Sequence, residues 1–424
     1  MVYSHDAFGL GNIRRMLTIC EHLLSSIPEL SILVVSGSPM LQSFRLPPRL
    51  DYIKIPCLNR GESGEISVKY LKTDISETIK MRSDLILMAA INFKPDAILV
   101  DKKPYGIKNE LVTTLKFLKK QLPQTKLLLL LRDILDAPEK TISEWQEHGF
   151  YQAVEKFYDQ ILVVGMPEVF DICREYQFPP AVAQKVRYCG YIRKEPGLKS
   201  REARRQELQV QEYEQLVLVT PGGGEDGYHV VDTYLTGVAQ QTTKKIRSVI
   251  ICGSEMPAEH REQLYQKAAL NPQVEMLDFT DDLMSYIDAA DVVVCMSGYN
   301  TITEVLSLGK RTIAIPRIKP ASEQLMRAEK MSKLGLLKMI HPCEVTPENL
   351  MDLLLTKLEK TLYCAVAPGL DLGGLPRISH YISHLLSNPV TSIEFDFSAL
   401  KPKPIVTPQA TCSKLTRNFR KLSS

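Results

Sequence analysis

The stretch DVVVCMSGYNTITEVLSLGKRTIAIPRIKPASEQ, residues 291–324, decides how the chain folds. An apolar run from Val292 to Cys295 halts at Ser297-Gly298. Helical spacing then starts near Tyr299, with Ile302, Val305, Leu306 and Leu308 on one face, and Gly309 ends it. A second apolar run, Thr312 to Ile315, stops at Pro316. The pattern is strand, glycine turn, helix, strand: one βαβ unit. In such a unit the first N–H groups of the helix have no partner within it and face any anion above the sheet edge. Ser297, Gly298, Asn300 and Thr301 stand at that edge. Glu304 follows one turn later and can accept hydrogen bonds from hydroxyls at the same spot. Amides for phosphate beside a carboxylate for sugar hydroxyls point to nucleotide-sugar chemistry.

The same alternation runs outward in both directions. Upstream, Leu216–Val219 reads as a strand ending in Thr220-Pro221-Gly222-Gly223-Gly224. Helix 228–241, strand Ser248–Cys252, helix 258–268, strand Val274–Leu277 and helix 281–288 complete the approach. Downstream come helix 322–334, a short strand at 337–340 and helix 347–360. The first ~190 residues repeat the scheme. A helix with apolar Ile13, Met16, Leu17, Cys20, Leu23, Leu24 and Ile27 follows the glycine loop Gly9-Leu10-Gly11-Asn12. Strands are predicted at 31–35, 52–55, 97–100, 127–131 and 161–164, with helices at 70–93 and 107–121. Residues 57–68 are polar and read as a mobile loop. Only about three strand residues precede the first glycine loop, against a usual ~5–6, and the expectation is a shortened N-terminus or a start that falls inside the first strand.

The predicted fold class is α/β: two doubly wound, Rossmann-like domains facing a central cleft. The expected organisation is an acceptor-side domain at 1–190, a charged linker at 191–215 and a donor domain at 216–387. The last helix, 376–387, is expected to return to the first domain, and the Pro-rich basic tail 388–424 to be disordered. Ligands of such sheets gather beyond the carboxyl ends of the strands. Asp101, Lys102 and Lys103 stand at one such end, and Arg132, Asp133 and Asp136 at another.

Composition limits the alternatives. The 424 residues are 44% hydrophobic and 24% charged, as in ordinary globular proteins. A net charge of +3 gives no reason to invoke nucleic acid. Nine scattered cysteines without a CxxC pair predict reduced thiols and no zinc site. No apolar stretch approaches the ~20 residues of a membrane span, and no signal peptide opens the chain. These features predict a cytoplasmic protein, with peripheral membrane contact left open.

Taken together, SHDAFGLGNIRR, TPGGGEDG and SGYNT with Glu304, Pro316-Arg317 and Glu323-Gln324 resemble glycosyltransferases of the GT-B fold. The pattern is similar to the family 28 group that contains the murein N-acetylglucosaminyltransferase, and to bacterial glycosyltransferases of unassigned acceptor. The resemblance covers most of residues 1–385. It implies a metal-independent, inverting transfer of a hexosyl group from a nucleotide sugar, with UDP the expected nucleotide. No separate cofactor is implied, and the acceptor is left open, with lipid and polysaccharide as candidates. Glu304 would bind the ribose, the amides around Ser297, Gly298, Asn300 and Thr301 the diphosphate, and Gln324 with Glu323 the sugar. Gly222, Gly223 and Gly224 would let backbone approach the diphosphate, Phe279 would contact the base, and Arg317 would add a cation.

One departure bears on turnover. Related transferases often carry Gly-x-Gly-His in the first loop, where this chain has Gly9-Leu10-Gly11-Asn12, and an amide accepts no proton at neutral pH. His5 and Asp6 are the substitute base candidates, with Asp101 and Asp133 behind them. Each residue also has a plainer reading. Glu304 can simply complement a helix dipole. The glycines can serve a tight turn. His5 can be satisfied locally, Asn12 can cap its helix, and Arg14 and Arg15 can be solvated. Two rival functions follow: a nucleotide-sugar epimerase or hydrolase on the same scaffold, or a nucleotide-sugar-binding protein that has lost catalysis.

Overall fold

The computed structural model describes residues 1–5, 11–61, 65–241, 246–359 and 370–387. Asp6, Gly9 and the tail 388–424 lie outside the described residues. In chain order the strands of the first half are Val2–Ser4 (β1), Ile32–Ser36 (β2), Leu50–Lys54 (β3), Leu58–Arg60 (β4), Ile66–Val68 (β5), Ala97–Asp101 (β6), Lys126–Arg132 (β7), Gln160–Val164 (β8) and Val186–Tyr188 (β9). Those of the second half are Gln215–Thr220 (β10), Ile246–Ile251 (β11), Val274–Leu277 (β12), Val292–Cys295 (β13), Arg311–Ala314 (β14) and Lys338–Met339 (β15).

They form two wholly parallel sheets, ordered β3-β2-β1-β6-β7-β8-β9 and β12-β11-β10-β13-β14-β15. Parallel sheets are covered on both faces, so their strands read as unbroken apolar runs. Leu127–Leu131 and Val292–Cys295 are buried throughout. Successive residues still face opposite sides. Leu216 and Leu218 of β10 join the larger core, which is continuous with that of the first half, while Val217 and Val219 join a second core beneath helices Tyr228–Ala239 and Pro347–Glu359. In both sheets the strand order reverses beside the first strand laid down, between β1 and β6 and between β10 and β13. A crevice opens at such a reversal. Gly11 follows β1, Gly222–Gly224 follow β10, and Ser297–Thr301 follow β13, so each glycine motif opens at a reversal.

Four local expectations change. Residues 57–68 are not a plain loop: β4 and β5 pair antiparallel, because Leu58 is buried with Ile107 against Ile66, Ile75 and Ile79. The long helix starts at Ile75 rather than 70, after an extended Asp74. Residues 191–215 contain a helix, Arg201–Glu207, whose cations are committed: Arg201 and Arg205 pair with Asp291, and Arg204 with Asp282. Helices Pro138–Glu147 and Phe150–Phe157, unassigned from sequence, meet around Trp145, which stacks on Phe178. The Gly374–Leu386 helix packs against the Gly11–Ser26 helix, with Ile378 and Ile382 buried in the larger core. Among the described residues no helix is long and apolar enough to cross a membrane.

Candidate active site

The carboxyl ends of both sheets meet at one cavity of about 310 Å³. The second half supplies one wall from three turns. After β10, Gly222 and Gly224 both adopt positive φ, 87° and 95°. A Cβ on Gly224 would strike the Cys252 carbonyl oxygen, so glycine lets this turn lie flat against the end of β11. The Glu255 N–H fixes that contact by donating to the Gly223 oxygen at 2.9 Å. After β13, Gly298 precedes the Tyr299–Ser307 helix with no side-chain cap, so the first-turn amides are left for a ligand. After β14 come Arg317 and Gln324.

Gly222, Gly223, Gly224, Phe279, Gly298, Asn300, Thr301, Glu304, Arg317 and Gln324 all line the cavity. Ser297 and Glu323 do not; both are buried behind it. The Ser297 carbonyl accepts from Arg327 Nη1 at 2.8 Å. Glu323 Oε1 accepts from Arg317 Nη2 at 3.0 Å, and Arg317 Nη1 donates to Asp226 at 3.2 Å. Arg317 is therefore a neutralised cation before any ligand arrives. Glu304 is partly buried, and burial raises its pKa above the usual glutamate value against the pull of Lys194 and Arg14.

The first half supplies the facing wall: Gly11, Asn12, Arg14, Arg15 and Arg132. The Asn300 amide crosses the cleft and donates to the Gly11 oxygen at 3.2 Å. A Cβ on Gly11 would come within 2.9 Å of that amide nitrogen, so a side chain there would displace the Asn300 amide from its bond across the cleft. Arg14 faces the Phe279 ring at 5.8 Å. Arg15 is paired with Asp101 at 2.8 Å.

Asn12 is not a cap. It is the second residue of its helix, and its amide donates to the His5 carbonyl at 2.9 Å. His5 is buried and does not line the cavity; its Nδ1 has no partner among the described residues. Burial, with Lys102, Lys103, Arg82 and Arg132 nearby, pushes its pKa well below the usual histidine value. The imidazole is therefore neutral at physiological pH. Asp133 is also withdrawn from the cavity, bound through both oxygens by Arg327 at 2.7 and 2.8 Å and by the Tyr191 hydroxyl at 3.0 Å.

Arg132 is legible in sequence only as a strand-end residue with no assigned part, yet it lines the cavity at the end of β7. Its position beyond a carboxyl end of a parallel sheet is the signal that marks it. Among the described residues no group of three or more His, Cys, Asp or Glu side chains is arranged to hold a metal.

Comparison with known proteins agrees with this geometry. Residues 216–366 match the model of the glycosyltransferase family 28 C-terminal domain. A UDP-N-acetylglucosamine--N-acetylmuramyl-(pentapeptide) pyrophosphoryl-undecaprenol N-acetylglucosamine transferase of Mannheimia succiniciproducens is 30% identical over 148 residues, 34% of this chain and 41% of that protein. The chain thus aligns with well under two thirds of the length of this relative. In three dimensions the likeness is longer. The crystal structure of Acinetobacter baumannii MurG superposes with a TM-score of 0.59 at 15% identity, covering 91% of this chain and 98% of the other. The UDP-GlcNAc 2-epimerase of Neisseria meningitidis, bound to UDP-GlcNAc, gives a TM-score of 0.59 at 13% identity over 91% and 98% of the two chains. At such identities these superpositions speak for the two-sheet GT-B fold alone. The sequence match to the glycosyltransferase family 28 C-terminal domain is confined to residues 216–366, about a third of the chain.

Proposed function

We propose that the protein transfers a hexosyl group from a nucleotide sugar to an acceptor hydroxyl, with inversion at the anomeric carbon. The observation that carries this reading is one shared cavity. It brings together the uncapped first turn of the Tyr299–Ser307 helix, Gly222–Gly224, Glu304 and Gln324. The helix amides would receive the diphosphate, Glu304 the ribose hydroxyls, Gln324 the sugar and Phe279 the base. As the glycosidic bond to the nucleotide breaks, the departing phosphate gains charge, and amides already oriented toward it stabilise that charge without reorganising. This route asks for no bound metal.

The name of the Mannheimia relative makes UDP-N-acetylglucosamine the first donor to test and a lipid-linked acceptor the first acceptor class. A lipid acceptor would bring the protein to a membrane surface without a span. For the acceptor proton the candidates are His5 and Asp6, at the strand-order reversal after β1. His5 is buried behind the cavity lining, so as base it would have to reach the acceptor through an intervening group or after a local rearrangement.

Glu304→Ala should abolish binding of UDP, read by titration calorimetry, and an unchanged affinity would sink the donor assignment. In parallel assays His5→Asn should lose turnover while keeping UDP affinity. Incubation with donor alone separates the rival enzyme: accumulation of an epimer or free sugar would favour an epimerase or hydrolase over transfer.

A further inference from the structure

The wall assigned to the donor offers dipoles but no uncommitted cation. Its one cavity-lining guanidinium among the described residues, Arg317, is held by Asp226 and Glu323. That wall also carries Glu225, Glu255 and Glu304. A nucleoside diphosphate seated there would add negative charge to a surface already rich in it. Amides at a helix start offset about half a charge, which leaves most of a diphosphate unanswered.

The uncommitted positive charge stands on the opposite wall, in Arg14, whose guanidinium meets only the Phe279 ring among the described residues, and in Arg132. Arg132 is the last residue of β7 and lines the cavity. Among the described residues its guanidinium has no hydrogen bond and no ion pair. Its neighbours are other cations: Arg15, bound to Asp101, and Arg327, bound to Asp133. Burial and these two arginines depress its pKa, which Glu323 and Asp133 only partly offset. An arginine nonetheless stays charged. A partly buried guanidinium among like charges destabilises the unliganded protein. Gly298, Asn300 and Thr301, at the uncapped start of the Tyr299–Ser307 helix, line the same cavity as Arg132. The cation and the helix start therefore border one space from the two halves of the chain.

We propose that Arg132 reaches across the cleft and binds a phosphoryl group seated on the first turn of the Tyr299–Ser307 helix. The inference rests on the donor reading for the source of the phosphate, though not for the anion site itself. A guanidinium meets two phosphoryl oxygens with parallel N–H donors, which a lysine cannot reproduce. On the donor's distal phosphate it would neutralise the charge that grows when the sugar leaves. It would do so only when both halves of the protein face the same nucleotide.

The test is titration calorimetry on the full chain with UDP, UMP and inorganic pyrophosphate, with GDP and dTDP as parallel nucleotides. Arg132→Gln should weaken UDP by about 10- to 100-fold, the range for losing hydrogen bonds to a charged group, and UMP by much less. Arg132→Lys should fall between wild type and Arg132→Gln. The Tm of unliganded Arg132→Gln should equal or exceed that of the wild type, because a repelled cation is removed; a merely structural arginine would lower it. If UDP affinity holds but pyrophosphate binding is lost, the anion site stands and its phosphate belongs to the acceptor. Unchanged affinity for both UDP and pyrophosphate overturns the proposal, as does an equal loss for UDP and UMP with a lowered Tm. A wild-type protein that binds no nucleoside diphosphate would overturn the donor reading. Pyrophosphate binding that depends on Arg132 would still support the anion site.

Discussion

Glu304 and Arg132 are charges of opposite sign that the unliganded protein holds without benefit to its stability. For Glu304 the consequence depends on pH. Burial raises its pKa above the reference value of 4.5, against Lys194 and Arg14. The folded protein therefore binds this proton more tightly than the unfolded chain, and ionisation costs stability. That cost is absent below the unfolded pKa and fully present above the folded one, so it grows as pH rises through the interval between them. Glu304→Gln should match the wild type in urea unfolding near pH 4 and be the more stable of the two near pH 7. The same variant should bind nucleotide worse at pH 7, because a neutral amide is a weaker acceptor for ribose hydroxyls than a carboxylate. Equal stability at both pH values would mean that the carboxylate is solvated and feels no burial. Gain in stability with loss of binding is the pattern expected where a site holds a group for its ligand.

Between elements, one fully buried tie is the pair Arg327–Asp133. Arg327 lies on the Glu323–Lys333 helix and Asp133 just beyond β7, and neither side chain has measurable exposure. Arg327 also holds the Ser297 carbonyl, so the turn before the Tyr299–Ser307 helix is tethered to the facing sheet. Removing one member of a buried pair strands the other charge. Arg327→Met should cost about 3–5 kcal/mol of unfolding free energy. Adding Asp133→Asn should restore about half of that loss: the amide oxygen can still accept from the Ile134 N–H, the amide NH2 in place of the second carboxylate oxygen can donate to the Tyr191 hydroxyl oxygen, and the stranded charge is gone. A double variant as unstable as Arg327→Met would show that packing, not charge, dominates the tie. This pair joins residues far apart in the chain, and that is why it cannot be read from sequence. Asp133 is visible there as a strand-end carboxylate and a weak candidate base; its partner is not visible at all. Elements whose pattern is local fare better. β13, the Tyr299–Ser307 helix and β14 follow the apolar runs of 291–324 closely, because parallel strands buried on both faces leave unbroken runs. The β4–β5 hairpin escapes such a reading because its apolar contacts, Leu58 with Ile107 and Ile79, come from other parts of the chain.

Over the whole molecule, the two walls of the cavity differ in how plainly the sequence announces them. The second half carries its chemistry in short turns, each glycine or helix start next to the strand it follows, so ten of the residues singled out there reach one cavity. The first half contributes Arg132 from a strand end and Arg14 and Arg15 from a helix face. Whether such arginines are solvated, paired or poised is decided by Asp101, Asp133 and Arg327, which only folding brings near. The walls already touch without ligand: Asn300 bonds to the Gly11 oxygen, Asp136 accepts from the Ser322 N–H at 3.0 Å, and Lys330 meets Glu175 at 3.4 Å. A nucleotide gripped from both sides should therefore slow opening of both halves. At a hundredfold excess over its dissociation constant a ligand adds about 2.7 kcal/mol of stability. Amide hydrogen exchange with saturating UDP should show added protection at 222–224 and 298–304 and, across the cleft, at 11–15 and 130–133. In Arg132→Gln, again saturated with UDP, the added protection should persist at 222–224 and 298–304 and shrink at 11–15 and 130–133, because the bond that conveys it is gone. Protection confined to the second half already in the wild type would show that the nucleotide engages one wall alone.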